Sequence, residues 1–160
     1  MRRRWRGPYS LLTVVSLTFA VLASACQPGD DGRLTLTLHS RQGATARLSV
    51  VVAETPDQLE QGLAGRTGLP RDAGMLFVID RRGAGFWMKD VSFPLSVAFI
   101  SECGEIVAIA DMEPYSLQLH DTELPYRFGL EVNRGWFSEH AIGVGDGAAL
   151  PRRLRRPGCP

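Results

Sequence analysis

Lysine is almost missing from this sequence. The 160 residues include 18 lysines and arginines, and Lys89 is the one lysine among them. Histidine and cysteine are also scarce, at three residues each, and no His-x-x-x-His or Cys-x-x-Cys spacing occurs, so the common zinc sites have no support. A Gly-x-Ser-x-Gly elbow and a phosphate-binding glycine loop are missing too, which leaves serine hydrolases and nucleotide-binding proteins without support. We predict no metal and no other cofactor.

The chain also has little continuous apolar sequence. Its longest such run holds roughly fifteen apolar or small residues, fewer than the about 20 that a membrane-spanning helix needs. Four arginines precede this run within the first six residues, and the run ends at Cys26. A basic start, a short apolar stretch and small residues at its end predict an export signal over residues 1–25.

Two processing outcomes remain open at the end of this signal. Ala23 and Ala25 are small enough for cleavage after Ala25, which would release a secreted or periplasmic soluble protein. Cys26 at the same junction resembles a bacterial lipobox cysteine, which is lipidated and becomes the new N-terminus, although Ala23 stands where leucine is usual. We favour a lipoprotein held to the membrane through Cys26, with residues 26–32 as a polar tether.

Export gives the other two cysteines a role. In an oxidising compartment Cys103 and Cys159 can form a disulfide, which would join the C-terminal tail to the rest of the domain. The alternative, Cys103 as a nucleophile, has less support because no histidine is near it in the sequence and a turn is expected there.

Charge is distributed unevenly. The whole chain carries +1; residues 1–25 contain four arginines and no acid, so their removal leaves −3. The tail over residues 152–160 holds four more arginines, so the body without it carries −7. An acidic body argues against a nucleic-acid partner. The basic tail is either solvated or in contact with anionic lipid headgroups.

Hydrophobic patterning predicts a β-rich fold. Alternating or continuous apolar stretches indicate strands, and these cover residues 33–39, 46–53, 74–79, 86–89, 94–101, 105–110 and 126–132, with a last short strand within 145–150. The turn at residues 102–104 predicts a hairpin with Cys103 at its tip.

Helical signals are few. Thr55 as N-cap, Pro56 at the first helical position and Gln58 at the capping-box site predict a helix that stops at Gly65. Residues 135–142 suit a second short helix. We therefore predict a single domain over residues 33–151, of the α+β class but mostly β, forming a small antiparallel barrel-like structure.

Several blocks then follow one another in a familiar order: QGLAGR, LPRDAGMLFVI, FWMKDVSFPLSVAFI, GEIVAI, YRFGLEVNRG and GVGDG. Together they resemble the bacterial and archaeal family called domain of unknown function 192, over residues 46–150. The resemblance implies a small β-rich, barrel-like domain, exported in many members. It implies no biochemical activity.

The sequence departs from the family pattern at four positions. Asp90 stands where asparagine is usual, Val91 where threonine is usual, Ser96 where aspartate is usual, and Ala64 where methionine is usual. If the family site needs an amide at position 90 or a carboxylate at position 96, this member binds a different ligand or none.

Candidate site residues begin with the stretch FWMKD. On a strand, Trp87 and Lys89 share one face, while Phe86, Met88 and Asp90 share the other. Desolvated by Trp87, Lys89 would be a better base or nucleophile. Its ammonium could instead bind a carboxylate or a sugar hydroxyl above the indole. The alternative interpretation is core packing with an ion pair at its edge.

Glu131 and Asn133 share a strand face and complete the candidate set. The carboxylate of Glu131 could pair with Lys89 or Arg66 in a pocket, where perturbed groups tend to gather. A structural ion pair between strands explains the same residues equally well. Arg66 could instead cap the carbonyl groups at the end of the preceding helix.

Three functional hypotheses follow. The first is a binding module for a small ligand or an envelope polymer, with a pocket lined by Arg66, Trp87, Lys89, Glu131 and Asn133. The second is a hydrolase-type enzyme acting on cell-envelope glycan or peptide, with Glu131 as general base beside Lys89. The third is a structural envelope protein. A pocket that holds both Lys89 and Glu131 would favour the first two.

Overall fold

One curved β-sheet forms most of the protein. The computed structural model describes residues 33–79 and 85–159. The predicted signal (residues 1–25) and tether (residues 26–32, with Cys26) lie outside the described residues and stay predictions. Within the described ranges the strands are β1 (Arg33–His39), β2 (Thr45–Ala53), β3 (Ala73–Val78), β4 (Leu95–Ile100), β5 (Ile106–Met112), β6 (Phe128–Asn133) and β7 (Gly147–Ala148).

The sheet is curved into a half-barrel. Its strand order is β5-β4-β6-β3-β2-β1-β7, and every neighbouring pair is antiparallel except β2 with β3. A bridge between Glu105 and Gly147 links the region before β5 to β7, so the two edges of the sheet approach each other. The predicted α+β, mostly β fold with a barrel-like sheet is confirmed.

One predicted strand is wrong. Residues 86–89 form no strand; Phe86 makes a single antiparallel bridge with His120. Met88 donates its backbone N–H to the carbonyl of Ser116 rather than continuing that ladder. Two residues later the chain turns at Asp90, whose φ of 59° is left-handed and ends any extended conformation.

Two short helices flank the sheet: α1 (Pro56–Gln61) and α2 (Trp136–Glu139). The predicted capping box is present, because the Thr55 hydroxyl accepts from the backbone N–H of Gln58 and the Gln58 side chain accepts from the Thr55 N–H. Helix α1 ends earlier than predicted, at Gly62 instead of Gly65. Gly62 has a φ of 47°, and a Cβ there would lie 3.3 Å from the Phe77 ring.

Apolar side chains form two clusters, one on each face of the sheet. The closed-face cluster joins β1, β2, β3, β4 and β6 to α2 and the C-terminal tail; its largest members include Leu36, Leu76, Phe128, Leu130, Trp136 and Phe137. The open-face cluster lies on the opposite face beneath α1 and residues 86–91; it includes Leu63, Met75, Phe77, Phe86, Val97 and Phe99. Burial of these side chains is the main force that stabilises the fold.

The C-terminal tail is attached to the body at several points. The predicted disulfide is present between Cys103, at the tip of the β4–β5 hairpin, and Cys159. Leu154 is buried in the closed-face cluster. Arg156 contacts the Glu102 carboxylate at 2.8 Å. The tail is therefore attached by the disulfide, by Leu154 and by an ion pair, while its four arginines are exposed, as its composition indicates.

Candidate functional site

A pocket of about 710 Å³ opens on the open face of the sheet. Its floor is the sheet, and its walls come from α1 with the residues that follow it and from the segment from residue 85 to residue 91 together with Leu119. Most lining side chains are apolar, among them Leu59, Leu63, Phe77, Ile79, Phe86 and Val91. The site is thus a concave apolar pocket with a few polar groups, the usual form of a small-molecule site.

Glu131 lies at the floor of this pocket. It occupies the middle of β6, and its register partners are Met75 on β3 and Val97 on β4, both apolar. The residue is 5% exposed, and among the described residues its carboxyl group makes no hydrogen bond or ion pair. Burial alone raises the pKa of Glu131 from 4.5 to about 8, so the carboxyl group is mostly protonated at neutral pH.

Phe86 fixes the wall above Glu131. Its backbone bridges His120, and its ring packs edge-on against Phe77 at 5.2 Å and Phe99 at 5.6 Å between ring centroids. The ring sits directly over Gly129, where a Cβ would come within 2.0 Å of it. Glycine at position 129 is therefore required for this wall to approach the sheet.

Trp87 and Lys89 form the mouth of the pocket. The buried and exposed residues alternate as the sequence predicts, with Phe86 and Met88 buried and Trp87 and Lys89 exposed. The Lys89 ammonium lies 5.6 Å from the centroid of the indole of Trp87, which is itself 50% exposed. Lys89 is thus solvated, and the desolvation that a nucleophilic lysine would need is not present at this position.

Two further carboxylates line the pocket near α1. They belong to Glu54 and Glu60, which are both exposed. Arg153 of the C-terminal tail forms an ion pair with Glu54. The tail that the disulfide holds in place therefore contacts a residue of the pocket.

The structure brings three of the predicted site residues together and separates three others from them. Trp87, Lys89 and Glu131 line one pocket. The predicted pairing of Glu131 with Lys89 or Arg66 is wrong for the described residues, where the carboxyl group has no charged partner. The reason is geometric, because Lys89 extends over Trp87 and Arg66 lies outside the pocket.

The other three predicted site residues, Arg66, Asp90 and Asn133, do not line the pocket. The Asn133 amide donates to the carbonyls of Leu69, at 3.3 Å, and Pro70, at 3.0 Å, and so holds the loop before β3. Arg66 is exposed beside a small cleft of about 20 Å³, and its backbone N–H donates to Leu63.

Two of the departures from the family pattern have structural explanations. The left-handed φ of 59° at Asp90 suits asparagine as well as aspartate. The backbone carbonyl of Asp90 accepts a hydrogen bond from the Gly65 N–H. Ser96 is buried, donates to Asp111 at 2.5 Å, and accepts from the Gly135 N–H at 3.2 Å. Neither residue lines the pocket.

The other two departures affect the pocket directly. Ala64 and Val91 both line it.

Sequence reasoning missed Glu54, Glu60, Ala64 and Leu119 as pocket residues. Glu54 precedes the N-cap of α1, Glu60 lies on α1, and Leu119 lies in a long loop. Such positions usually indicate residues at the protein surface. Leu119 is one of three exposed leucines in its loop, with Leu117 and Leu124, so the sequence carries no signal that distinguishes it.

Over the two described ranges, no group of three His, Cys, Asp or Glu side chains is arranged to hold a metal ion. In the same part of the chain, no helix is long and apolar enough to cross a membrane.

Comparisons with known proteins agree with the fold. The sequence model of DUF192, described as "Uncharacterized ACR", matches residues 37–150. A Sinorhizobium meliloti 1021 protein, described as a candidate transcription regulator, has a similar crystal structure: it is 33% identical, with a TM-score of 0.70 over 72% of this chain and 92% of that one. A Novosphingobium aromaticivorans DSM 12444 protein of unknown function is 25% identical, with a TM-score of 0.69 over 78% of this chain and 90% of that one. No curated protein matches.

Proposed function

The chain belongs to the DUF192 family, and we propose that it is an exported, lipid-anchored binding module for a small molecule. The family name carries no activity, so the proposal rests on this chain's own pocket. The observation that carries it is Glu131, a carboxyl group that is 5% exposed and unpaired among the described residues, at the floor of a pocket of about 710 Å³.

An unpaired buried carboxyl group lowers stability, because its burial is not offset by a hydrogen bond or a counter-charge. Met75 and Val97 beside it show that apolar side chains fit at this depth of the sheet. A polar group retained in a pocket without a structural partner is typical of a ligand site. Glu131 thus serves the ligand rather than the fold.

Size favours a small molecule over an envelope polymer. A volume of about 710 Å³ falls within the range of roughly 300–1,000 Å³ that drug-sized ligands occupy. Walls formed by α1 and by Phe86 with Leu119 suit a compact ligand better than an extended chain.

Titration with N-phenyl-1-naphthylamine, an uncharged dye that fluoresces in apolar surroundings, tests the pocket. We expect saturable binding of one dye per chain. Ala64→Met introduces the residue that is usual in the family and narrows the pocket, so dye affinity should fall about tenfold. Ala149→Met, at an exposed position away from the pocket, is the matched control and should bind like wild type. Equal affinity of wild type and Ala64→Met would contradict the proposal.

Export and lipid anchoring form the second part of the proposal. The signal-like first 25 residues support export, and so does the Cys103–Cys159 disulfide, because disulfides persist in oxidising compartments. Cys26 at the predicted cleavage site supports a lipid anchor.

Expression of the full chain in a bacterium with an alkyne-labelled fatty acid tests the anchor. We expect wild type to be labelled and to sediment with membranes, and Cys26→Ser to lose the label and become soluble. Mass spectrometry of the mature N-terminus supplies the decisive result: an unmodified Cys26 after cleavage would indicate a soluble exported protein.

A hydrolase-type enzyme is the second candidate, and the pKa of Glu131 favours it. A pKa of about 8 suits a group that donates and accepts protons near neutral pH. Glu54 and Glu60 line the same pocket and supply a second carboxylate, which the sequence alone did not indicate. Incubation with purified cell-envelope glycan and peptide should then yield products that Glu131→Gln does not form; identical traces for the two proteins would exclude this role.

We propose no nucleic-acid partner, although one similar protein is described as a candidate transcription regulator. The two described helices have six and four residues, too short for a helix that reads the major groove. The acidic body predicted from the sequence supports the same view.

A further inference from the structure

We propose that the pocket binds an organic ammonium ion, with the positive charge paired to Glu131 and the apolar body against the walls. This inference rests on the proposed binding function and names the chemical class of its ligand.

The Glu131 carboxyl group has no partner among the described residues. Its neighbours across the sheet, Met75 and Val97, carry no charge, and no described residue donates a hydrogen bond to its carboxyl group. Ionisation in this place lacks a counter-charge, which is why burial holds the pKa near 8. A ligand cation would supply the counter-charge that the protein does not.

Acidic side chains outnumber basic ones around the pocket. The charged or titratable side chains that line it are Glu54, Glu60, Lys89 and Glu131, so three are acids and one is a base. Lys89 is at the mouth over Trp87, and Arg153 pairs with Glu54 at the rim. An anionic ligand would therefore meet an unpaired acid at the floor, while a cation would meet a partner.

Aromatic side chains form part of the pocket lining. Phe77, Phe86 and Trp87 all line the pocket. Aromatic faces attract ammonium groups, most strongly when water is excluded. The indole of Trp87 already has the ammonium of Lys89 at 5.6 Å, so the rings that remain for a ligand cation are those of Phe77 and Phe86. Aromatic rings beside a carboxyl group form the usual surroundings of a bound alkylammonium.

Binding would move one proton and break no bond in the ligand. The protonated Glu131 carboxyl group gives its proton to the buffer, and the resulting carboxylate pairs with the ligand cation. A quaternary ammonium ion has no N–H, so a proton released on its binding must come from the protein. Because most of Glu131 is protonated at pH 7, release should be about one proton per ligand.

Isothermal titration calorimetry at pH 7 tests this in phosphate and in PIPES, whose heats of ionisation differ and neither of which has a net positive charge. The ligands share one chain length: octyltrimethylammonium and octanoate, each below its micelle concentration, and octanol, below its solubility limit. We expect the ammonium ion to bind about tenfold or more tightly than the other two, with about one proton released at pH 7 and none above pH 10.

Glu131→Gln keeps the shape of the side chain and removes its charge. Its affinity for octyltrimethylammonium should fall by about 10- to 100-fold and proton release should disappear, while octanol binding stays unchanged. Glu60→Gln, an exposed acid of the same pocket, is the matched control. It should retain proton release and lose no more than about threefold in affinity.

The outcomes separate this inference from the proposed function. If the naphthylamine dye binds but octanoate or octanol binds as tightly as the ammonium ion, or no proton is released, the pocket is a binding site and the ligand class is wrong. If neither dye nor any octyl compound binds, both proposals fail.

Discussion

The two faces of the sheet differ in what they contain, although the same strands form both. On the closed face, Leu130 and Val132 of β6 pack with Leu76 of β3 under Trp136, and every one of these side chains is buried. On the open face, the carboxyl group of Glu131 and a pocket of about 710 Å³ interrupt a second cluster of buried apolar side chains.

The two faces of the sheet therefore contribute differently to stability and to function. A closed apolar layer gains its full burial free energy and tolerates no change of volume. The open face gives up part of that gain, because a pocket leaves walls unpacked and a carboxyl group unpaired. We infer that the closed face maintains the fold and that the open face carries the ligand site.

The largest expected effect is on packing, in a matched pair of leucines. Leu76 and Leu63 are both buried, but Leu63 lines the pocket. Leu76→Ala should lower the free energy of unfolding by about 4 kcal/mol, since it creates a closed cavity. Leu63→Ala should cost about 2 kcal/mol, because the new space joins the existing pocket. Urea denaturation measures both; equal losses would remove the distinction between the faces.

Glu131→Gln should increase stability, in a manner that depends on pH. The pKa of Glu131 is about 8 in the folded protein against an ordinary value of 4.5, so the folded state binds more protons between these values. The contribution of Glu131 to the free energy of unfolding should therefore be fully present below pH 4.5 and fall as pH rises toward 8, by about 3 kcal/mol at pH 7.

The variant has no carboxyl group at this position and should lack that decline, so it should exceed wild type by about 3 kcal/mol at pH 7 and match it near pH 4. Urea denaturation from pH 4 to pH 9 gives the two curves. Glu60→Gln should follow wild type, as an exposed acid of the same pocket. Parallel curves for wild type and Glu131→Gln would show that burial of Glu131 has no energetic consequence.

Trp87→Ala should affect binding and leave stability nearly unchanged. The side chain is 50% exposed at the mouth of the pocket, so the free energy of unfolding should change by less than about 0.5 kcal/mol. Affinity for the naphthylamine dye should fall about tenfold, as one aromatic contact is lost. Leu117→Ala is the control, an exposed apolar residue that does not line the pocket. Similar dye affinities for the two variants would place the dye elsewhere.

Arg153→Ala should have the smallest effect. Its ion pair with Glu54 is exposed, and such pairs contribute about 0–1 kcal/mol. Thermal unfolding should shift little, and the freed Glu54 should slightly raise the affinity for octyltrimethylammonium. A change toward weaker ammonium binding would mean that the tail supports the pocket rather than competing for its acid.

Much of the fold could be predicted because its signals are local. Alternation in residues 33–39 and the capping box at Thr55 with Gln58 depend on neighbours along the chain, and both predictions are confirmed. The failures at residues 86–89 and at the end of α1 concern backbone turns. Asp90 in its left-handed conformation accepts a hydrogen bond from Gly65, and Gly62 has a positive φ at a place where the Phe77 ring leaves little room for a side chain.

The candidate site could be predicted only in part. Trp87, Lys89 and Glu131 were identified by residue type, and the structure places them in one pocket. Asn133 shares a strand face with Glu131, yet it lies at the end of β6, where its amide meets the carbonyls of the loop before β3. Which face-sharing residues reach a pocket depends on what covers the strand, and a strand's sequence does not contain that information.

Local pattern and residue counts were enough to predict most of the elements, the mostly β class, the family and the pairing of Cys103 with Cys159. The folded structure was needed to show that Glu131 is buried without a partner among the described residues, that Lys89 lies over Trp87 instead of beside that carboxyl group, and that Glu54 pairs with Arg153. Burial and pairing are properties of surroundings that distant segments assemble, so they arise only when the sheet curves and its open face is covered.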